Sequence, residues 1–261
     1  MKTALLISTY NWEAALDLVL QSVQLQTVLP DEILIADDGS RESTRELIQN
    51  WQKKSKVLIK HFWQEDNGFR KTIIMNAAIM GTDAEYIIQI DGDIILDENF
   101  IKDHITNRKK DFFLNGSRAL ISESNTKKIL DNGKLNMKEV SKNVKNKINA
   151  TRAPALSFFF RKDHYKSNNV KGCNFSFWKK DFINVNGYNN DMNGWGHEDI
   201  ELAARLINLG LKQRRLKMSA VCYHLYHPHF DRKNEIKNLS VYQDVVKNKI
   251  IKCEDGYEQT V

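Results

Sequence analysis

The first 95 residues of the chain alternate short apolar segments with stretches of helical periodicity. Four segments have the composition of buried strands, namely 3–9, 32–38, 57–63 and 86–91. Helical patterns, including those at 43–54 and 69–81, separate them. Strands separated by helices of this length predict βαβ units with right-handed crossovers. The sequence therefore predicts an α/β fold with a mostly parallel central sheet flanked by helices.

The overall composition is that of a globular protein in a reducing compartment. The 261 residues are 41% hydrophobic and 28% charged, which suits one generous domain or a domain with a subdomain. The cysteines, Cys173, Cys222 and Cys253, are too far apart for a disulfide framework or a CxxC metal site. The N-terminal residues do not resemble a signal peptide, and no run of about 18 apolar residues occurs. We therefore expect a cytoplasmic protein.

The net charge of +6 is concentrated in one segment. Residues 127–180 hold 14 Lys and Arg against 3 Asp and Glu, whereas the rest of the chain is net negative. Such a run fits a solvated face, an anionic membrane surface, an anionic acceptor or nucleic acid. The wider stretch 108–170 is rich in Asn and poorly periodic, so we expect a partly helical insertion with mobile parts.

Structure is predicted to return after residue 171. The segment 172–178 is apolar, the pattern at 199–210 is helical and ends at Gly210, and 217–223 has strand composition. The tail at 236–252 has an amphipathic helical pattern. Near the N-terminus, Asn11 is a candidate cap for the first helix.

Polar residues follow three of the predicted strands where each strand ends. They are Ser8, Thr9 and Tyr10; Asp37 and Asp38; and Asp91, Gly92 and Asp93. In open parallel sheets, ligands bind beyond the carboxyl ends of the strands. Any one of these groups is explained by turn or capping chemistry, but their coincidence predicts a shared ligand crevice.

The acidic pair Asp91 and Asp93 has metal-binding spacing. Residues i and i+2 of an extended chain point the same way, so both carboxylates can face one ligand. Their mutual repulsion favours a hard divalent cation, Mg²⁺ or Mn²⁺, that shares its remaining ligands with phosphate.

The segment 193–199 brings an aromatic ring and two acids together. Gly194 and Gly196 bracket Trp195, and Glu198 and Asp199 then begin a helix. This arrangement fits a sugar ring held by an aromatic face beside a catalytic base. It also fits a packed Trp before a helix whose first turn is acidic.

Two further motifs bear on a metal and an anion. His224, His227 and His229 follow a predicted strand and suggest a metal ligand or a surface cluster. Arg70 and Lys71 begin a predicted helix, where the dipole and the two cations suit an anion.

Several common motifs are missing from the sequence. There is no G-x-G-x-x-G after the first strand, no G-x-x-x-x-G-K-[ST] and no G-x-S-x-G. Together with the acidic crevice, this favours transfer from a nucleotide-diphosphate donor. A sugar nucleotidyltransferase is an alternative, although it needs a Gly-rich loop after the first strand. A nucleic-acid-binding module using 127–180 is another, although it leaves the acidic strand ends unexplained.

The chain resembles family-2 glycosyltransferases of the Rossmann-like GT-A fold that carry a galactosyltransferase-like C-terminal, acceptor-side segment. Bacterial polysaccharide and lipopolysaccharide glycosyltransferases, chondroitin polymerase and β-1,4-galactosyltransferases are similar. The matching stretches run from about residue 3 to 234, with 110–165 unmatched. They are STYNW, ILIADDGS, EDNGFRKTIIMNAAI, YIIQIDGDIILDENFI, VKGCNFSFWKKDFINVNGYNNDMNGWGHEDIELAARLINLG and VCYHLYHP.

The resemblance implies a role for each matching position. The residues implied to bind the donor are Ser8, Thr9, Tyr10, Asp37, Asp38, Arg70, Lys71, Asn76, Asp91, Gly92 and Asp93. Asp93 and His224 are implied to hold the metal, with His227 as the competing ligand. Trp195, Gly196 and Glu198 are implied to contact the sugars, and Glu198 and Asp199 to be catalytic. Met75 replaces an Arg found in many members, so Arg70 or Lys71 would have to supply that charge.

The resemblance also implies an organisation and a reaction. Residues 1–107 form the nucleotide-sugar half, 108–170 the insertion, 171–235 the acceptor segment and 236–261 a helical tail. The reaction is an inverting transfer that depends on Mn²⁺ or Mg²⁺, from a UDP-sugar to a saccharide or lipid-linked acceptor, with Asp199 as base. We expect no nucleic acid. Contact with the inner membrane face through the basic segment is a further expectation.

Overall fold

The structure is a computed structural model that describes residues 1–142, 144–160, 163–228 and 232–260. It contains a large and a small sheet. The strands in these residues are β1 (Thr3–Thr9), β2 (Glu32–Asp37), β3 (Leu58–Trp63), β4 (Tyr86–Asp91), β5 (Ile94–Leu96), β6 (Phe112–Asn115), β7 (Ala119–Leu120), β8 (Asp163–His164), β9 (Phe175–Trp178), β10 (Lys212–Arg215) and β11 (Cys222–His224).

Helices cover both faces of the large sheet. Those in the described residues are α1 (Glu13–Gln24), α2 (Glu42–Lys54), α3 (Lys71–Met80), α4 (Phe100–Asn107), α5 (Glu123–Asn132), α6 (Met137–Lys142), α7 (Pro154–Ser157), α8 (Lys179–Asn184), α9 (Glu198–Asn208) and α10 (Glu235–Asn248). Short 3₁₀ helices span Lys147–Ala150, Phe158–Phe160, Gly172–Asn174 and Tyr257–Gln259.

The large sheet has the order β3-β2-β1-β4-β9-β6-β10-β8. Its first four strands are parallel, as predicted, and β9 pairs antiparallel with both β4 and β6. The central strands β1, β2 and β4 are mostly apolar, as expected for strands whose two faces are both buried. Leu5 packs in the core beneath α1 and α2, whereas Leu6 packs in the core beneath α3 and α9. The predicted α/β class is confirmed.

The stretch 108–170 contributes to the sheets as well as to peripheral helices. Strand β6 lies within the large sheet, and β7 pairs with β11 in the small sheet, whose order is β5-β11-β7. Both strands are short, four and two residues, so they leave little periodicity to read. The nearby helices α5 and α6 pack on a third apolar cluster that includes Ile129 and Val140.

Two local predictions were wrong. Most of 217–223 is irregular: β10 ends before it at Arg215, β11 begins only at Cys222, and the turn between them has positive φ at Met218 and Ala220. Asn11 does not cap α1, because Trp12 occupies the cap position. Asn11 instead has positive φ, and its side chain accepts a hydrogen bond from the Arg41 amide.

The predicted helical tail is present as α10, which contacts α9. Among the helices that the structure describes, none combines the length and the apolar character needed to span a bilayer.

Candidate active site

The ends of β1 and β4 are joined by hydrogen bonds. The Ser8 hydroxyl donates to Asp91 Oδ1 at 2.9 Å, and the Gly92 amide donates to the Ser8 carbonyl at 2.7 Å. A Cβ at position 92 would lie 2.9 Å from that carbonyl oxygen and 3.1 Å from Thr9 Oγ1. Glycine therefore allows the Asp91–Asp93 turn to approach β1 closely.

The two acids at the end of β2 have protein partners. Asp37 accepts a hydrogen bond from the Ser40 amide and pairs with His61, so it closes a buried turn. Asp38 accepts a hydrogen bond from the Arg70 amide at 2.9 Å, which joins β2 to the start of α3. Burial raises the pKa of Asp38 to about 6.

Two other predicted donor contacts also have protein partners. The Tyr10 hydroxyl donates to Asp66 at 2.9 Å, although nearly half of the Tyr10 side chain is exposed. The Arg70 guanidinium donates to the Glu65 carbonyl at 2.6 Å. The cation that reaches the acids Asp91 and Glu198 is the next residue, Lys71, rather than Arg70.

That cation is Lys71, which joins two separate parts of the site. Its ammonium lies 2.7 Å from Asp91 Oδ1 and 3.8 Å from Glu198 Oε1. Burial alone would lower the pKa of Lys71, but the negative charges of Asp91, Asp199 and Glu198 raise it. Lys71 therefore stays protonated and holds the end of β4 against the start of α9.

Asp91 itself is held in the ionised form. Burial would raise its pKa, but the ammonium of Lys71 and the hydroxyl of Ser8 lower it. The end of β4 thus carries a fixed negative charge.

Asp93, His224 and His227 form a cluster with metal-binding geometry. Asp93 Oδ2 lies 3.4 Å from His224 Nε2 and 3.5 Å from His227 Nε2. Ligands of one Mg²⁺-sized ion, each about 2.1 Å from it, lie roughly 3 Å apart at right angles, so these spacings are only slightly wide. The structure thus brings both competing histidines to Asp93, while His229 lies outside the described residues.

The protonation of this cluster fits a cation. Burial, followed by repulsion from Asp91, raises the pKa of Asp93 to about 8. Burial and the nearby Arg118 lower the pKa of His224 to about 3, so its imidazole is neutral, as a metal ligand must be. Asp93 Oδ1 is buried and has no hydrogen-bond partner among the described residues. These residues fit a divalent metal.

Asp199, at the start of α9, is held by the Gly172 amide, which donates to its Oδ2 at 2.8 Å. Its Oδ1 lies 3.2 Å from the Tyr188 hydroxyl, whose shorter hydrogen bond is to Gln89 Oε1 at 2.8 Å. A Cβ on Gly172 would lie 2.1 Å from Asp199 Oδ1, so only glycine leaves room for this carboxylate. Burial raises the pKa of Asp199.

Its neighbour Glu198 is buried against Lys71. Burial, together with the charge of Asp199, raises the pKa of Glu198 to about 7, although the Lys71 ammonium opposes this rise. Two interacting carboxylates in one pocket titrate as a pair, and this pair changes its proton occupancy near neutral pH. That is the range in which general bases work best.

The loop before α9 adopts conformations that favour glycine. Gly194 and Gly196 have φ of +80° and +110°, and His197 has φ of +71° at the helix cap. Trp195 is half-buried, and the Arg232 guanidinium lies 5.0 Å from the centre of its ring.

Asn238 on α10 supports this loop and was not predicted from the sequence. Its side chain is fully buried and donates to the Gly196 carbonyl at 3.0 Å, with the carbonyls of Asn193 and Gly194 at 3.3 and 3.5 Å. The amphipathic pattern indicated the helix, but only the tertiary fold shows which polar residue faces inward.

The side chain of Asn76, for which the family resemblance implied donor binding, faces the protein interior. Its amide is fully buried, donates to the Tyr188 carbonyl and to Asn190 Oδ1, and accepts from the Tyr188 amide. Asn76 therefore holds the loop that carries Tyr188, which in turn contacts Asp199.

Arg118 was missed by the sequence analysis because it lies in the stretch without a family resemblance. Its guanidinium donates to Cys173 Sγ at 3.1 Å, and its charge acts on Asp91 and Asp93. The site therefore contains a second cation besides Lys71.

Two family descriptions match the chain. "Glycosyl transferase family 2" matches residues 4–168, which is more than half of the chain. The chain belongs to glycosyl transferase family 2. "N-terminal domain of galactosyltransferase" matches residues 154–228, in the C-terminal part of this chain. The resemblance found in the sequence is confirmed.

Curated relatives are synthases and glycosyltransferases. Chondroitin synthase of Pasteurella multocida (strain Pm70) is 24% identical over 95% of this chain and 27% of its own length. Hyaluronan synthase of Pasteurella multocida is 26% identical over 79% of this chain and 23% of its own length. The chain thus spans about a quarter of the length of these relatives.

Solved structures share the fold at low sequence identity. GalNAc-T7 with UDP, GalNAc and Mn²⁺ aligns with a TM-score of 0.66 and 15% identity, over 94% of this chain and 50% of that chain. Staphylococcus aureus TarS 1–349 with UDP-GlcNAc aligns with a TM-score of 0.63 and 15% identity, over 100% and 69%. The expected GT-A fold is confirmed.

Proposed function

We propose that the chain is an inverting, metal-dependent glycosyltransferase. It moves a hexose or N-acetylhexosamine from a UDP-sugar to a hydroxyl of a saccharide or lipid-linked saccharide. The observation that carries this proposal is the Lys71 ammonium, which contacts Asp91 beside the metal cluster and lies 3.8 Å from Glu198 in the acidic pair. Donor and acceptor chemistry therefore share one cleft.

The donor side is assigned to the strand ends. Ser8, Thr9 and Asp38 would border the nucleoside, and Asp91 would lie close to the ribose, following the roles implied by the family resemblance. The choice of UDP is supported by fold neighbours solved with UDP or UDP-GlcNAc. A mannosyltransferase with the same fold was solved with GDP-Man, so the base needs a direct test.

Asp93, His224 and His227 would hold Mn²⁺ or Mg²⁺. When bound, such an ion offsets the charge that develops on the departing diphosphate. The Asp93 carboxylate would bring one negative charge, which leaves a divalent ion a net positive charge to share with phosphate oxygens.

Asp199 is assigned as the general base. The Gly172 amide orients its carboxylate, and its remaining lone pairs would accept the proton of the acceptor hydroxyl. That oxygen would attack the anomeric carbon from the face opposite the diphosphate, which inverts the configuration. Glu198 and the ring of Trp195 would position the sugars.

Contact with a membrane is proposed for the segment 145–166, which has six Lys or Arg and one acidic residue. Leu156, Phe159 and Tyr165 expose 49%, 75% and 62% of their surface there. Apolar side chains among basic ones suit an anionic lipid surface and a lipid-linked acceptor.

We expect Phe159→Ser to reduce flotation with anionic vesicles, while Ile236→Ser, on α10, does not. Equal flotation with neutral vesicles would contradict the proposal.

The reaction is tested by a donor screen that measures nucleotide release with Mn²⁺. Asp199→Asn should lower turnover by about 10²–10⁴-fold and leave UDP binding intact, because the base acts only in the chemical step. Asp93→Ala should abolish the dependence of UDP affinity on Mn²⁺. Full turnover by Asp199→Asn, or unchanged Mn²⁺ dependence in Asp93→Ala, would contradict the proposal.

A further inference from the structure

Arg118 is a partly buried cation in the active-site cleft, and its guanidinium forms no direct ion pair with a carboxylate of the described residues. Among the described residues, the one side-chain hydrogen bond of its guanidinium is to Cys173 Sγ, at 3.1 Å. Burial raises the pKa of Cys173 to about 11, so its sulfur is a neutral thiol that offers weak acceptance and no countercharge.

Two other inward-facing arginines, Arg205 and Arg152, are paired with carboxylates. Arg205 contacts Glu201 through Nε and NH2, and Arg152 contacts Asp103 in the same two-pronged way. Within the cleft itself, Lys71 lies 2.7 Å from Asp91. Because an enclosed charge is costly unless it is paired, the different surroundings of Arg118 need an explanation.

The position of Arg118 relates it to the metal cluster. It directly precedes β7, where Ala119 is in register with Tyr223 of β11, so its strand neighbours the one that carries His224. Its positive charge acts on both Asp91 and Asp93. The guanidinium therefore lies beside the place where the metal would meet the diphosphate of a donor.

We infer that Arg118 binds the pyrophosphate group of the nucleoside-diphosphate donor. A guanidinium presents a planar fork of donors that matches two phosphate oxygens at once. A nucleoside diphosphate carries more negative charge than one divalent cation neutralises, and Arg118 would offset part of the remainder. This inference rests on the proposed function, since it takes the donor to be a nucleoside diphosphate.

A purely electrostatic role has different consequences. If Arg118 only balanced Asp91 and Asp93, its removal would tighten cation binding and leave the preference for phosphorylated ligands unchanged. If Arg118 binds pyrophosphate, its removal lowers the affinity for a ligand, and the loss grows with the number of phosphates that the ligand carries.

The test is calorimetry of UDP, UMP and uridine at saturating Mg²⁺ with the wild-type chain, Arg118→Gln, Arg118→Lys and Arg215→Gln. Arg215 is exposed on β10 and controls for the loss of one positive charge. We expect Arg118→Gln to weaken UDP on the order of 10- to 100-fold, UMP less and uridine not at all. Arg118→Lys keeps the charge but loses the planar fork of donors. Its UDP affinity should lie between those of Arg118→Gln and the wild type.

The possible failures are distinguishable. An unchanged UDP affinity in Arg118→Gln, or an equal loss for all three ligands, would overturn the role of Arg118 and leave the proposed function standing. A wild-type chain that binds uridine but not UDP would overturn both. If Arg118→Gln does not fold, a selective loss of UDP affinity in Arg118→Lys decides the question.

Discussion

The ammonium of Lys71 lies 2.7 Å from the carboxylate of Asp91, and on its other side it approaches Glu198 at 3.8 Å. One residue at the start of α3 therefore connects the end of a central strand with the helix that begins at Glu198. The electrostatic state of the acidic pair depends on this ammonium.

Replacing Lys71 with Gln should move the acid limb of the pH profile. The ammonium lowers the pKa of both Glu198 and Asp199, so its removal raises them, and the base would ionise at higher pH. We expect the acid limb of kcat/KM to shift upward by roughly one pH unit. The exposed Lys180→Gln is the control, and a profile unchanged in Lys71→Gln would show that the pair does not sense Lys71.

Gly172→Ala should impair turnover without impairing donor binding. The new methyl group would displace the Asp199 carboxylate, which sits where the Cβ would be. A misplacement of about 1 Å in a reacting group costs on the order of 10²-fold in rate. Turnover, UDP affinity and Tm are measured together. A normal kcat with an unchanged Tm would mean that Asp199 need not occupy its observed position.

His224→Ala and His227→Ala should each weaken Mn²⁺ binding. Both Nε2 atoms lie within 3.5 Å of Asp93 Oδ2, so each has the geometry of a ligand. Loss of a ligand should weaken the affinity for Mn²⁺ on the order of tenfold or more. The affinity is measured from the electron paramagnetic resonance signal of free Mn²⁺. His61→Gln is the control on a histidine elsewhere in the fold. Wild-type affinity in His227→Ala would remove His227 from the ligand set.

Asn238→Ala should weaken acceptor binding more than donor binding. The variant leaves the Gly196 carbonyl without its donor, at a cost of about 1–3 kcal/mol, and frees the loop that carries Trp195. We expect KM for the acceptor to rise while UDP affinity is kept. Asn248→Ala, at the other end of α10, is the matched control. An equal rise in KM for the acceptor and in Kd for UDP would indicate a general structural defect.

His104 should make the fold sensitive to mild acid. It is fully buried between Ser176 and Asn174, and burial lowers its pKa to about 4. The unfolded chain therefore takes up the proton first as the pH falls below about 6.5, and stability is lost between that pH and about 4.

By pH 5 the loss from His104 amounts to about 2 kcal/mol. Urea unfolding at pH 7 and pH 5 measures it. In His104→Gln, which has no titratable group there, the difference between the two pH values should shrink by that amount. An undiminished difference would place the acid sensitivity elsewhere.

The sequence predicted much of the fold because strand ends and helix starts leave strong local signals. Asp91 and Asp93 were identified from their position at the end of an apolar segment, and Asp199 from the start of a helical pattern after Trp195 and from the family resemblance. The structure brings them into one cleft. Arg118 left no comparable signal, because a two-residue strand has no periodicity and its neighbour in space is a hundred residues away in sequence. Asn76 is the converse case, since its helical position does not reveal that its amide faces the protein interior.

The small sheet has a consequence for how this site can change. The strand that carries His224 is hydrogen-bonded on both edges, because the Leu225 amide donates to the Asp93 carbonyl and the Ile121 amide donates to the His224 carbonyl. Strands β5, β11 and β7, which are distant in the sequence, thereby form one sheet. This sheet fixes the position of His224 relative to Asp93 and Arg118. Loops outside this sheet could therefore change in length or sequence without moving Asp93 and His224 relative to each other.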